Sequence, residues 1–145
     1  MSFLSHYCNK FPIYRQRVRN GKVNISVDLI TRSLPCFTEL HPLFYVNNVK
    51  VIPDNIYGWL TPVALAHWIM GDGTYGSGLI LCTDSFTVPD QVRLMNVLII
   101  RYGFICNLHR KKGQYRIYIS SKSMPYLRSI VSPYFHPSML YKLGL

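Results

Sequence analysis

Two stretches of strict alternation stand out along the chain. Val23, Ile25, Val27 and Leu29 alternate with Lys22, Asn24, Ser26 and Asp28. Tyr115, Ile117 and Ile119 alternate with Arg116, Tyr118 and Ser120. Side chains along a strand point to opposite faces in turn, so period two predicts half-buried antiparallel strands with one polar face. Each stretch follows another strand-like run across a basic turn. Phe11–Val18 leads through Arg19-Asn20-Gly21-Lys22 into Val23–Thr31, and Gly103–Arg110 leads through Lys111–Gln114 into Tyr115–Ser120. Helical patterns cover Leu34–Tyr45, about Pro89 to Tyr102, and Ser123–Phe135, and Leu79–Phe86 reads as one further strand. A last helix is announced by Thr61, a good N-cap, and Pro62, suited to the first helical position. It runs through Leu65-Ala66-His67-Trp68-Ile69-Met70 and stops at the glycines around Asp72, which leaves one carboxylate at the tip of an apolar helix.

The order of these elements repeats. Hairpin, helix and a lysine-bearing segment follow one another over residues 11–52 and again over residues 103–145 at an offset of about 91. Pro42 and Phe44 fall on Pro133 and Phe135, and Lys50 falls beside Lys142. Such internal duplication precedes any fold assignment. The later unit is complete, from the acid-tipped helix onward. The earlier one holds only its second hairpin, last helix and lysine. Residues 1–52 therefore read as an incomplete first half and residues 53–145 as a complete one. A gene beginning after the first third of a two-repeat protein would have this form.

Composition narrows the partners. Among 145 residues, 16 Lys and Arg face six acids, a net charge of +10. That imbalance points to a polyanion. It is not confined to a tail, because Arg15, Arg17, Arg19, Lys22, Arg110, Lys111, Lys112 and Arg116 lie among strand residues. No basic amphipathic helix and no apolar run of the ~18 residues a membrane span needs is present, so nucleic acid is expected over a membrane. Cys8, Cys36, Cys82 and Cys106 form no CxxC pair and have no neighbouring histidine, and read as reduced structural thiols. Residues 1–20 are basic and acid-free like a transit peptide, yet Met1 is present, which synthesis inside an organelle would explain.

The motif Leu65–Gly73, Leu-Ala-His-Trp-Ile-Met-Gly-Asp-Gly, resembles the signature of the LAGLIDADG homing endonucleases. Phe44–Pro53, Leu60–Gly73, Thr83–Thr87 and Met139–Leu143 follow in the family's order, so the resemblance covers about residues 11–145. It is nearest the carboxy-terminal portion of the single-chain, two-motif yeast mitochondrial type. The resemblance implies an α+β fold in which each half is αββαββα. Two halves form a saddle-shaped antiparallel sheet lying in the DNA major groove, here with the first half incomplete. In the family two motif helices pack side by side, and each brings one acid to a shared metal site.

On its residues alone, Asp72 is an Asp-Gly helix terminator. The resemblance makes it the metal-binding acid, with Mg²⁺ the expected cation, and makes Lys50 and Lys142 the paired catalytic lysines. Two departures concern the helix-pairing interface. Gly71 stands where the family often has a second acid, and a small residue lets paired helices approach closely. His67 stands where the family often has Gly. A lone histidine on an apolar helix is usually a packed core residue, and two copies of this helix would set His67 against His67. A different partner is therefore favoured over a homodimer.

The nucleic-acid-binding residues expected on the polar faces and turns are Arg15, Arg17, Lys22, Asn24, Ser26, Asn107, His109, Lys111, Lys112, Arg116 and Tyr118. Trp68 suits a core. Tyr14, Tyr115 and Tyr118 fit groove contact and sheet packing equally. The leading expectation is one subunit of a split, heterodimeric mitochondrial endonuclease that cuts both strands of a long DNA site. Its second chain would carry the first motif helix. The alternative is a scaffold that binds intron RNA or rRNA within a mitochondrial ribonucleoprotein such as the ribosome.

Overall fold

A computed structural model describes residues 6–8, 11–111 and 113–145. The chain divides into two compact units, Met1–Pro42 and Leu43–Leu145.

The first unit is built on an antiparallel hairpin of β1 (Ile13–Arg19) and β2 (Lys22–Asp28). Asn20 and Gly21 both have positive φ, 51° and 71°, as a two-residue turn matched to strand twist requires. The register sets Arg15 opposite Ser26, Arg17 opposite Asn24 and Arg19 opposite Lys22, so one face is polar and basic. Tyr14, Val18, Val23, Ile25 and Val27 share the other face. The expected half-burial of this face does not occur: Ile25 is 73% exposed and Val23 56%. Alternation selects the residues that share a face, and burial needs a covering element that this unit lacks among its described residues. Helix α1 (Pro35–Phe44) follows, and the unit boundary falls inside it.

The second unit opens with a small hairpin of β3 (Tyr45–Val46) and β4 (Val49–Lys50) and a single helical turn, α2 (Ile56–Trp59). Asn47 and Asn48 turn this hairpin with φ of 50° and 61°, a conformation asparagine tolerates better than most side chains. The sequence pattern had carried α1 through Tyr45 and missed this turn. The αββαββα half follows: α3 (Pro62–Asp72), β5 (Gly73–Tyr75), β6 (Leu79–Leu81), α4 (Val88–Tyr102), β7 (Cys106–Lys111), β8 (Gln114–Ile119) and α5 (Met124–Val131). Its four strands form one antiparallel sheet in the order β5-β6-β8-β7.

Caps define the helices as their sequences imply. Thr61 accepts a hydrogen bond from the Ala64 N–H and precedes Pro62. Thr87 does the same for Asp90, and α4 ends at left-handed Gly103. The last predicted helix is shorter than its pattern suggested. α5 stops at Val131, because Pro133 supplies no N–H for another α-helical turn, and two 3-10 segments, Ser132–Tyr134 and Pro137–Leu143, complete the chain.

One face of the sheet packs on the helices. Leu79, Leu81, Ile117 and Ile119 meet Leu65, Ala66 and Ile69 of α3, Leu94 and Leu98 of α4, and Leu127 and Val131 of α5 in a single buried cluster. Ile52 belongs to the same cluster, which ties the stretch after the small hairpin to this unit. Trp68 packs against it as well. All four cysteines are free thiols. Cys106 is buried, and burial pushes its thiol up to about 12. No helix among the described residues is long and apolar enough to cross a membrane.

Strand β6 ends sooner than its apolar pattern implied. The buried Thr83 hydroxyl donates to Gln91 Oε1 at 3.1 Å and accepts the Ile117 N–H at 3.3 Å. A side chain thus takes the place of a backbone carbonyl in the ladder, and Thr83–Phe86 closes as a turn. Replacing Thr83 by Val leaves the Ile117 N–H without that acceptor. The variant is expected to lose about 1–3 kcal/mol of unfolding free energy, read as a lower urea midpoint at unchanged slope.

Candidate catalytic centre and nucleic-acid interface

The acid-tipped helix is set by its own amphipathicity. Leu65, Ala66 and Ile69 are fully buried, while Val63, His67 and Gly71 lie one turn apart along an exposed stripe. His67 is exposed, unlike the packed core histidine its apolar surroundings suggested, and its Nδ1 lies 2.8 Å from the Val63 carbonyl. Gly71 has open space where a Cβ would stand, so nothing in this chain requires a glycine there. Gly73 differs: a Cβ would meet the Ile69 carbonyl oxygen at 2.5 Å. The chain passes from α3 into β5 with no connecting loop, and the junction places Asp72 at the seam of helix and sheet. Asp72 is exposed, and its carbonyl accepts the Cys82 N–H at 3.1 Å.

Lys142 comes to this seam from 70 positions further along. Its Nζ donates to the Gly71 carbonyl at 3.1 Å, next to Asp72. The last carbonyls of a helix have no intrahelical partners and carry partial negative charge, so electrostatic attraction adds to this one hydrogen bond. Lys50 is held in another environment, with Nζ 4.6 Å from the centre of the Phe86 ring. The lysine-bearing segments of the apparent repeat also differ in form: Lys50 ends a short strand and Lys142 lies in a 3-10 segment. Asp72 and Lys142 are thus neighbours. No group of three or more His, Cys, Asp or Glu side chains able to hold a metal occurs among the described residues.

The sheet's second face is open and polar. Register pairs Asn107 with Tyr118, His109 with Arg116 and Lys111 with Gln114, and all six share this face. The rings of His109 and Tyr118 stack with centres 4.2 Å apart and planes 13° from parallel. Tyr115 belongs to the opposite parity, with the Arg110 guanidinium 5.9 Å from its ring. Gln114 was missed in the sequence although it shares the parity of Arg116 and Tyr118. Thr74, which pairs with Ile80 across from Tyr118, was missed because β5 has only three residues. Lys112 lies outside the described residues. In the first unit Arg15, Arg17, Lys22, Asn24 and Ser26 share the polar face of the hairpin, and Tyr14 lies on the other face, 76% exposed.

Two expected interface residues are already engaged, Arg15 by Asp28 at 2.6 Å on the hairpin and Arg116 by Asp84 on the sheet. Arg116 donates from Nε and Nη2 to the two oxygens of Asp84, at 2.6 and 2.5 Å. The guanidinium holds the Asp84 carboxyl below the ordinary carboxylate value, and Asp84 in turn raises Arg116. Arg116 is therefore half of a neutral pair on the open face and not a free cation. Asp84, in the turn after Thr83, was not foreseen as part of the site.

An acid-tipped helix packed beneath a four-stranded antiparallel sheet with one open polar face defines the class: an α+β half of αββαββα order. Comparison with known proteins gives the family. The model of the LAGLIDADG DNA endonuclease family matches residues 1–127, and the chain belongs to that family. The cytochrome b mRNA maturase bI2 of Debaryomyces hansenii is 40% identical over 143 residues, 95% of this chain and 55% of its own length. The intron-encoded endonuclease ai4 of Dictyostelium discoideum is 37% identical over 122 residues, 81% of this chain and 77% of its own. The homing endonuclease I-WcaI, in a structure bound to its DNA recognition sequence, superposes with a TM-score of 0.88 at 27% identity. That match covers 97% of this chain and 66% of the other. The chain thus spans about half the length of the maturase it matches.

The Asp84–Arg116 pair carries a pH signature. A carboxylate whose pKa is lowered by folding adds stability that is present above the ordinary value of 3.8 and lost as pH falls through the folded value. Asp84→Asn is expected to flatten this part of the acid limb. Urea midpoints of the two proteins should converge as pH drops below 3.8 and separate at neutral pH.

Proposed function

We propose that this chain contributes one half of a divalent-metal-dependent, site-specific DNA endonuclease. The second motif helix would come from outside these 145 residues. The observation that carries the reading is the exposed Asp72 carboxylate beside Lys142, on a helix whose Val63–His67–Gly71 stripe is uncovered. One carboxylate is too few for a metal centre that cuts a duplex, and a second acid-tipped helix laid along this stripe would supply its partner. Gly71 leaves room for close approach. The bulk of His67 favours a partner helix with a small residue opposite it over a second copy of this helix.

Asp72 suits Mg²⁺, a hard cation held through one or two carboxylates with water and phosphate oxygens completing its shell. The partial negative charge at the end of α3 adds to the attraction. When bound, the cation would neutralise charge developing on the phosphate and lower the pKa of the attacking water. Lys142 would bring positive charge to the phosphoryl oxygens. Lys50 is assigned the same role at the second centre. The open sheet face and the basic hairpin would follow the major groove, where each base pair presents its own donor and acceptor pattern. Arg17 and Lys22, with Lys111 and Lys112, would hold phosphates and make affinity fall steeply with salt.

A second reading is favoured by the maturase relative, which is 40% identical over 95% of this chain. In it the same faces grip intron RNA, or rRNA in a ribonucleoprotein. The relatives' names, tied to introns and to cytochrome b mRNA, support a mitochondrial setting for either reading.

Asp72→Asn separates the two. With the partner helix present and Mg²⁺ supplied, the variant should lose cleavage of a plasmid library of candidate sites while retaining duplex binding close to wild type in gel shifts. RNA binding and splicing support should survive it. Specific double-strand cleavage by the purified 145-residue chain alone would overturn the partner requirement.

A further inference from the structure

We infer that Arg116, clamped by Asp84, is a specificity-determining residue that reads a single guanine in the major groove. The inference rests on the DNA reading above and adds to it the base read by one position of the sheet.

The geometry divides the guanidinium into two edges. Nε and Nη2 face Asp84, at 2.6 and 2.5 Å. Nη1 and the second Nη2 hydrogen remain at the end of the fork, and Nη1 has no hydrogen-bond partner among the described residues. Two parallel donors at that spacing match guanine O6 and N7, the pairing by which arginine distinguishes guanine from other bases. The clamp also removes the torsional freedom that a long side chain otherwise loses on binding. By contrast, the Arg15 side chain paired with Asp28 on the hairpin is 46% exposed, against 29% for Arg116.

Asp84 is itself fixed. It follows Thr83, whose buried hydroxyl is tied to Gln91 and to the Ile117 N–H, and Ile117 is the residue after Arg116. One polar network therefore holds both members of the pair from the protein side. On the same face, His109 pairs with Arg116 in the strand register and its ring stacks on that of Tyr118.

Charge separates base reading from phosphate binding here. In a chain of net charge +10, phosphate contacts need free cations, and a neutralised arginine is less suited to that task than an unpaired basic residue. Its donors retain their direction, and direction is what base recognition uses.

The test is a selection. The full chain is immobilised, duplexes with a randomised core are captured at several salt concentrations, and the retained sequences are read. Wild type should enrich a motif with one fixed guanine. Arg116→Gln should move that position toward adenine, the base a glutamine reads, and leave the other positions unchanged. Asp84→Asn keeps the shape of the turn and should relax the same position roughly 5- to 150-fold. The double variant Arg116→Gln/Asp84→Asn, which leaves the net charge unchanged, should keep the slope of log affinity against log salt.

A wild-type motif without a fixed guanine would overturn the inference, as would variants that leave the motif untouched. Uniform weakening over all sequences, with a slope smaller by about 1, would make Arg116 a phosphate contact instead. Capture of single-stranded RNA with no duplex retained would overturn the DNA reading, and this inference with it.

Discussion

The junction between α3 and β5 is the constraint on which the rest of the second unit depends. Gly73 has no space for a side chain because the Ile69 carbonyl stands 2.5 Å from where its Cβ would be. The backbone therefore turns from helix into strand within one residue, and the Gly73 N–H closes the helix on Ile69. The helix cannot rotate about its axis without carrying the sheet with it. Leu65, Ala66 and Ile69 are thereby held against the core while Val63, His67 and Gly71 point away from it. Asp72 inherits its position from this arrangement and needs no side-chain partner to hold it.

The far end of the chain is shaped to meet that junction. Arg128 donates from Nε and Nη2 to the Leu143 carbonyl at 2.9 and 2.7 Å, and its guanidinium lies 5.7 Å from the centre of the Tyr75 ring on β5. Gly144 is left-handed, with φ of 71°, and the Tyr75 ring fills the space its side chain would need. These contacts dock the last 3-10 segment on the strand that follows Asp72. Lys142 is set one residue before the Arg128 anchor, so its ammonium reaches the end of α3 from a fixed base and not from a loose tail. The Lys50 strand has no comparable anchor on α3, and its ammonium rests on an aromatic face.

Local signals made much of this readable before any coordinates. Thr61 with Pro62 marks a helix start through chemistry that acts over three residues. The parity of Arg116 and Tyr118 carried over directly, because period two determines which side chains share a face, while Lys111, read as part of the turn, ends β7 instead. What stayed hidden depends on partners distant in the chain. Thr83 ends β6 through Ile117, and Asp84 clamps Arg116 from 32 positions away. No window of sequence contains both partners. The hairpin of the first unit shows the other limit: Val23, Ile25 and Val27 alternate as a buried face would, yet they are exposed. Periodicity records the side a chain presents to a core, not whether that core is present.

The distribution of acids gives Asp72 its chemical distinction. Of the six acids, four form ion pairs: Asp28 with Arg15, Asp54 and Asp90 with Arg93, and Asp84 with Arg116. Asp72 and Glu39 have no ion pair among the described residues, although basic residues outnumber acids 16 to six. Glu39 lies on α1, away from any helix end. Asp72 lies where backbone carbonyls already make the potential negative, and the nearest ammonium, Lys142, bonds to the carbonyl of Gly71 and not to the carboxylate. A lysine that satisfied Asp72 directly would neutralise it and remove its capacity for a divalent cation. Held one residue away, the same lysine keeps its own charge at the seam and leaves both carboxylate oxygens open.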